Sequence, residues 1–187
     1  MDIFKTITQE ELKIILDNHK IWLEDNNKGE CANLYYVDLH GLNLEGVDLR
    51  HASLGCANLY RANLSGANLE GVSLKGAYLN GANLEGANLK YANLKYTKFE
   101  RANLTRADLR YTDLEGADFN EAILKRAYLM NADLESTDLR RANLEDADLG
   151  NINLNNAKLE GANFKGAYFK GKKLTTVEFK KSKFWIF

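Results

Sequence analysis

From Leu34 to Phe184 every fifth residue is Leu or Phe, at 31 consecutive sites without a slip. A helix turns about 100° per residue, so a five-residue step scatters these side chains around the cylinder and lines up no buried stripe. A straight strand fails for a different reason. Its side chains alternate, and because five is odd, successive leucines would point to opposite faces of a sheet. The period is satisfied when each pentapeptide forms a short extended leg followed by a two-residue corner, so that the chain coils around its own leucines.

The other positions of the repeat agree with such a leg. The residue two before each Leu or Phe is small or apolar except at Lys172, Ala in 20 of the 31 cases, and the residue between is mostly Asn or Asp. The unit therefore reads A-(N/D)-L-x-x, with Ala and Leu inward and Asn or Asp outward. Gly recurs at the second corner position, from Gly41 to Gly171, where a tight turn favours a residue free of Cβ strain. Charge then counts the legs in each coil, because outward residues one coil apart become neighbours. Pairs spaced by 20 residues include 13 opposite-charge and 6 like-charge combinations, and a spacing of 15 reverses that balance. Arg50/Glu70, Glu70/Lys90, Arg101/Glu121, Glu121/Arg141, Lys125/Glu145 and Glu145/Lys165 are examples. Four legs per coil is the expected register.

An A-(N/D)-L-x-x array running from residue 32 to 186 resembles the pentapeptide-repeat family. The resemblance implies a right-handed quadrilateral β-helix, an all-β solenoid of about 7–8 coils and roughly 37 Å in length at ~4.8 Å per coil. The first expectation for function, which nothing in the sequence contradicts, is a non-enzymatic protein-interaction scaffold. Some members mimic DNA, bind type II topoisomerases such as gyrase and protect against their inhibitors, and that is the alternative function. This chain departs from it in charge. Residues 1–30 carry seven acidic and four basic side chains, so with a net charge of −1 for the whole chain the remainder is net +2. A rod that imitates phosphate should be acidic along its length.

The ends of the array differ. Residues 1–30 read as a capping helix and linker, and 31–187 as the repeat domain. Thr8 is an N-cap, Glu11 completes a capping box, and Ile7 with Leu12 can form a hydrophobic staple, placing the helix start near Gln9. Leu12, Ile15, Leu16, His19, Trp22 and Leu23 recur at helical spacing, and Asn26-Asn27-Lys28-Gly29 supplies a stop. The apolar side so formed is expected to lie over the first coil, with His19 as a packing residue. At the other end Phe replaces Leu at 164, 169, 179 and 184, and the chain finishes on Phe184, Trp185, Ile186 and Phe187. These aromatics either fold over the last coil or meet a second copy. The family resemblance favours the second, a homodimer through the C-terminal end.

Nothing in the sequence assembles a catalytic constellation or calls for a cofactor. His19, His40 and His51 fall on different elements, no phosphate-binding Gly-rich loop opens a helix, and Cys31 and Cys56 have no metal-ligand spacing. No apolar run reaches membrane-spanning length and the first residues lack a signal-peptide core, so a cytoplasmic location is expected. Interleaved acidic and basic residues argue against direct nucleic-acid binding. The Asn column at 43, 63, 83, 103, 143 and 163 is expected to form a hydrogen-bonded ladder. Asp113, Glu115, Asp118, Asp133, Glu135 and Asp138 stack like charges on consecutive coils. Asp113, Asp133, Glu115 and Glu135 are accordingly weak cation candidates, with nearby Arg140 and Arg141 able to answer the charge instead. Arg101, Arg106, Lys125 and Arg126, expected on one corner, and the stacked pair Tyr91 and Tyr111 form the candidate surface for a protein partner whose identity the residues do not name.

Overall fold

The computed structural model describes residues 4–169 together with residues 172 and 173. From Asn33↔Ser53 to Asp148↔Tyr168, parallel bridges join residues 20 apart with unbroken register. Each coil therefore consists of four pentapeptide legs. Each rung is a pair of backbone hydrogen bonds. Leu64 N donates to Asn83 O at 2.7 Å and Asn83 N to Ala62 O at 2.9 Å, and the pattern repeats along the rod. Corners close as four-residue turns, with Ala67 N donating to Leu64 O at 3.0 Å. The legs are too short to be sheet strands in the ordinary sense, yet the stacked bridges satisfy the backbone as a parallel ladder does.

The interior is a column of leucine. Leu39, Leu64, Leu84, Leu104 and Leu129 are fully shielded from solvent, and the residues two before them, Val37 and four alanines, pack the same core. Phe99 and Phe119, one coil apart, stack with ring centroids 4.8 Å apart and planes only 4° from parallel. Thr97, Thr112 and Thr137 occupy the small inward position and are buried. Each donates its hydroxyl to a backbone carbonyl, of Leu74, Leu109 and Leu134 respectively. A buried hydroxyl costs free energy only while unpaired, so the core accepts Thr in place of Ala.

The second corner residue sits in the left-handed region whether or not it is glycine. Gly86 has φ 66°, and Arg101, Arg106 and Tyr111 have φ of 58°, 59° and 61°. A Cβ built on Gly86 meets nothing within 4 Å, so that site isolates backbone strain from crowding. Gly86→Val is expected to lower stability by about 1–3 kcal/mol through conformation alone. Urea unfolding of this variant beside Gly86→Ala, which should lose about 1 kcal/mol, checks the expectation.

Helix α1 spans Gln9–Glu24. Thr8 Oγ1 accepts from Glu11 N at 3.1 Å while Thr8 N donates to Glu11 Oε2 at 2.7 Å, completing the capping box. Leu12 is buried in the rod's core, with Ile7, Ile15 and Leu16 packed against it. His19 is completely buried. Its Nδ1 accepts a hydrogen bond from Ala32 N at 3.1 Å, so it serves the backbone at the start of the first coil rather than merely filling space. Trp22 stacks on His19 and meets His51 edge-on. After the helix, Gly29 turns the chain at φ 65°, and a Cβ there would stand 2.3 Å from Asn18 O.

Two features depart from the sequence expectation. The segment before α1 also pairs with the rod: Lys5 bridges Val37 in parallel, with Lys5 N donating to Tyr36 O and Asp38 N to Lys5 O, both at 2.9 Å. A lone bridging residue with no repeat around it leaves no periodic trace in the sequence. At the other end, β1 (Tyr168–Phe169) pairs antiparallel with β2 (Lys172–Lys173). The chain turns back where the repeat had been expected to continue as a coil. Phe184, Trp185, Ile186 and Phe187, expected to cap the end or form a dimer contact, lie outside the described residues.

Candidate interaction surface

With the register fixed at 20, four columns of corners and four outward faces run along the rod, and the charged and tyrosine candidates of the array each fall in one of them. The Asn column is a continuous amide ladder except at one place. Asn63 donates to Asn43 Oδ1 at 2.9 Å, Asn83 to Asn63 and Asn103 to Asn83 at 3.1 Å, and Asn163 to Asn143 at 3.0 Å. Each Oδ1 also accepts from the backbone N two residues on, as at Thr105 and Glu145. Ile123 interrupts the column and is 42% exposed. The amides have their partners within the ladder, and this face is structural.

Most of the acidic cluster is answered, from its own leg and from neighbouring coils. Lys95 Nζ lies 3.1 Å from Asp113 and 2.7 Å from Glu115. The Glu115 and then the Asp113 hydrogen bonds hold its ammonium well above the usual lysine range. Asn153 Nδ2 donates to Asp133 Oδ1 at 2.9 Å and to Glu135 at 3.4 Å. Arg140 Nε donates to Asp138 at 2.8 Å, and Lys158 approaches the same carboxylate at 3.8 Å. Arg140 thus acts as anticipated, whereas Arg141 turns to Glu121 at 3.2 Å. Among the described residues no group of three or more His, Cys, Asp or Glu is placed to hold a metal ion. Lys95 is the member that the sequence reading missed, although its 20-residue spacing from Glu115 was available.

The basic residues expected together are divided between two corners. Arg101 stacks with Glu121 and Arg141, its Nε 2.8 Å from Glu121. Arg106 shares its column with Arg126 and Asp146, beside Lys125, which pairs with Glu145 at 3.1 Å. The error came from treating successive corners as one, since residues 101 and 106 lie at opposite ends of a leg. Of the six charge pairs named from spacing, Arg101/Glu121, Glu121/Arg141 and Lys125/Glu145 are direct contacts. Arg50 instead binds Asp48 of its own leg, and Lys90 reaches Asp108 at 3.4 Å. For Arg50, a carboxylate two residues away is closer to hand than one on the next coil, whereas Lys90 takes a different carboxylate of the next coil.

Tyr91 and Tyr111 stack as expected, with centroids 5.2 Å apart and planes at 16°. Both remain exposed, at 59% and 46%. Arg110, locked to Asp108 by Nε and Nη2, lies over the ring of Tyr128 at 5.9 Å. An aromatic and guanidinium strip therefore runs Tyr91, Tyr111, Arg110, Tyr128, with exposed Ile123 on the adjoining face. Arg106 is exposed nearby, with no ion pair among the described residues. Tyr128 and Ile123 had a readable signal: each stands where the repeat places Asn or Asp. The strip has no nucleophile and base held together. What it can do is bury aromatic area against another surface, with arginine available for a directed contact.

Residues 32–71 and 67–106 match the profile of pentapeptide repeats (8 copies), and residues 102–179 match that of a pentapeptide repeat region. No curated protein matches the chain. Among solved structures, HetL, a pentapeptide repeat protein involved in heterocyst differentiation regulation from the cyanobacterium Nostoc sp. strain PCC 7120, is 28% identical. That alignment covers 78% of this chain and 82% of HetL, with a TM-score of 0.41. A pentapeptide repeat protein of the Arabidopsis thaliana thylakoid lumen is 27% identical over 61% of this chain and 69% of its own, with a TM-score of 0.38. QnrB1, a plasmid-mediated fluoroquinolone resistance protein, is 22% identical over 72% and 75% of the two chains, with a TM-score of 0.41.

Proposed function

Because the chain belongs to the pentapeptide-repeat family, we propose that it is a non-enzymatic rod that presents a rigid face to a protein partner. In this reading the coil winds right-handed, residues 1–30 cap its first turn, and residues 31–187 form the interaction domain. The observation that carries the reading is the exposed strip of Tyr91, Tyr111 and Tyr128 with Arg110, on a backbone held rung by rung. Tyrosine and arginine are enriched among the residues that carry binding energy at protein interfaces: tyrosine buries a large area with few rotatable bonds, and arginine adds directed polar contacts. Here the rings are already stacked and Arg110 is already locked to Asp108. Association therefore orders few side chains, which lowers its entropic cost.

Membrane anchoring plays no part in the proposal, and no helix among the described residues is long and apolar enough to cross a bilayer. A Tyr111→Ser/Tyr128→Ser variant tests it. The tagged variant should lose the partners that the wild-type rod captures from the source cell, while its melting temperature stays within about 3 °C. An unchanged set of captured proteins would remove the strip from the proposal. Reversing charge at Arg106 alone is expected to weaken capture less than losing both rings.

A further inference from the structure

Near the N-terminal end the rod carries a groove of 540 Å³ lined by Phe4, Asp38, His40, Asn58, Tyr60, Tyr78 and Asn80. It lies on different faces from the aromatic strip. Its lining combines aromatic rings with polar side chains. Phe4 reaches it because Lys5 is paired to the first coil, and the Phe4 ring meets Tyr78 edge-on at 5.7 Å. Tyr60 is 43% exposed and Tyr78 36%. Position 78 is an outward site that the repeat mostly gives to Asn, Asp or Ser, and a phenol ring there cannot join an amide ladder.

The polar side chains of the lining are fixed in advance, with capacity to spare. Asp38 Oδ1 accepts from Asn58 Nδ2 at 2.8 Å, from the His40 ring at 2.9 Å and from His40 N at 3.3 Å. All three bonds fall on one oxygen, which leaves Asp38 Oδ2 with acceptor capacity. Asn58 Oδ1 is held by Tyr60 N at 3.2 Å. Asn80 makes one long contact, to Glu100 at 3.5 Å, so most of its amide capacity remains. The groove thus offers flat apolar rings beside several hydrogen-bonding groups of both kinds. Its one carboxylate already takes three hydrogen bonds.

We propose that this groove binds a short neutral oligosaccharide, with a sugar ring against the tyrosines and its hydroxyls on Asp38, His40 and Asn80. Sugars present apolar C–H faces and a rim of hydroxyls that both donate and accept, which is the complement of this lining. An organic cation fits it less well. Arg61 already lies over the Tyr60 ring at 5.0 Å, where it occupies one π-face and repels a second positive charge.

The test is titration of the full chain with cellotetraose, maltotetraose and chitotetraose, followed by calorimetry and by amide shifts in NMR. At least one should saturate with shifts confined to residues around 38–40, 58–60 and 78–80. Tyr60→Ala should weaken that binding about ten-fold through the lost ring face. Asp38→Asn should weaken it several-fold, because the amide keeps the ladder bonds that Asn makes elsewhere on the rod but replaces the free acceptor with a donor. Tyr111→Ser should bind as wild type. The assignment is overturned if none of the three sugars binds at about 10 mM, if binding survives Tyr60→Ala unchanged, or if choline saturates the groove and the sugars do not.

Discussion

Replacing Leu104 with alanine is expected to destabilise the rod by about 2–5 kcal/mol, the range for truncating a fully enclosed leucine. Leu104 has no solvent exposure, and its backbone N donates to Ile123 O at 2.7 Å while Ala107 N donates to its carbonyl at 3.0 Å. The leg is therefore pinned at both ends and cannot collapse into the space that the missing atoms leave. Neighbours one coil above and below lose contacts as well, because a solenoid shares its core only between adjacent coils. Urea unfolding followed by circular dichroism measures the loss. Leu159→Ala provides the comparison: Leu159 is only partly buried, so its cost should be markedly smaller. Equal losses at the two sites would show that enclosure does not set the energetics of this column.

The second large effect is a pH dependence centred on His19. Burial pushes its imidazole below the ordinary histidine range. Asp48 acts in the opposite sense, while Arg50 and His51 add to the lowering. Geometry agrees, because Nδ1 must stay unprotonated to accept from Ala32 N, and Nε2 is buried without a partner. The folded protein therefore holds His19 neutral, while the unfolded chain takes up a proton as pH falls below about 6.5. Stability should be fully present above that value. It should fall by at most about 1.4 kcal/mol per pH unit until the lower folded pKa is reached.

Urea midpoints at pH 7, 6 and 5 measure this slope. His19→Leu should remove part of it, while lowering stability at pH 7 by about 1–3 kcal/mol because Ala32 N loses its acceptor. An identical slope in the variant would assign the titration to other groups. Carboxylates stabilised by ion pairs lose their contribution in a separate, more acidic window. Among them, Arg140 beside Asp138, Arg101 beside Glu121 and Lys95 beside Glu115 each hold the acid below its ordinary range.

The candidate surface was legible only in part. Tyr91 and Tyr111 were recognisable as a stack because they stand at the same corner 20 residues apart, and the outcome needed nothing beyond register. Arg110 and Tyr128 were not, since their contact depends on Arg110 being held by Asp108 within its own leg. Similarly, the groove under Phe4 has no counterpart in the repeat. It requires a residue before α1 to return to the edge of the first coil, across a sequence separation that leaves no pattern.

The five-residue period determined the coil and its leucine column, because a strict repeat admits one pattern of inward positions, and the charges spaced by 20 residues then pointed to four legs. The capping box was equally local, since Thr8 and Glu11 meet within a single helical turn. Only the tertiary structure decided which charges pair, what His19 does and where the N-terminal segment lies. Those outcomes hang on competition between nearby partners, such as Asp48 against Glu70 for Arg50, and on which open backbone groups remain at the end of the rod. A periodic sequence specifies what recurs in every coil. The ends and the exceptions are settled by contacts that occur once.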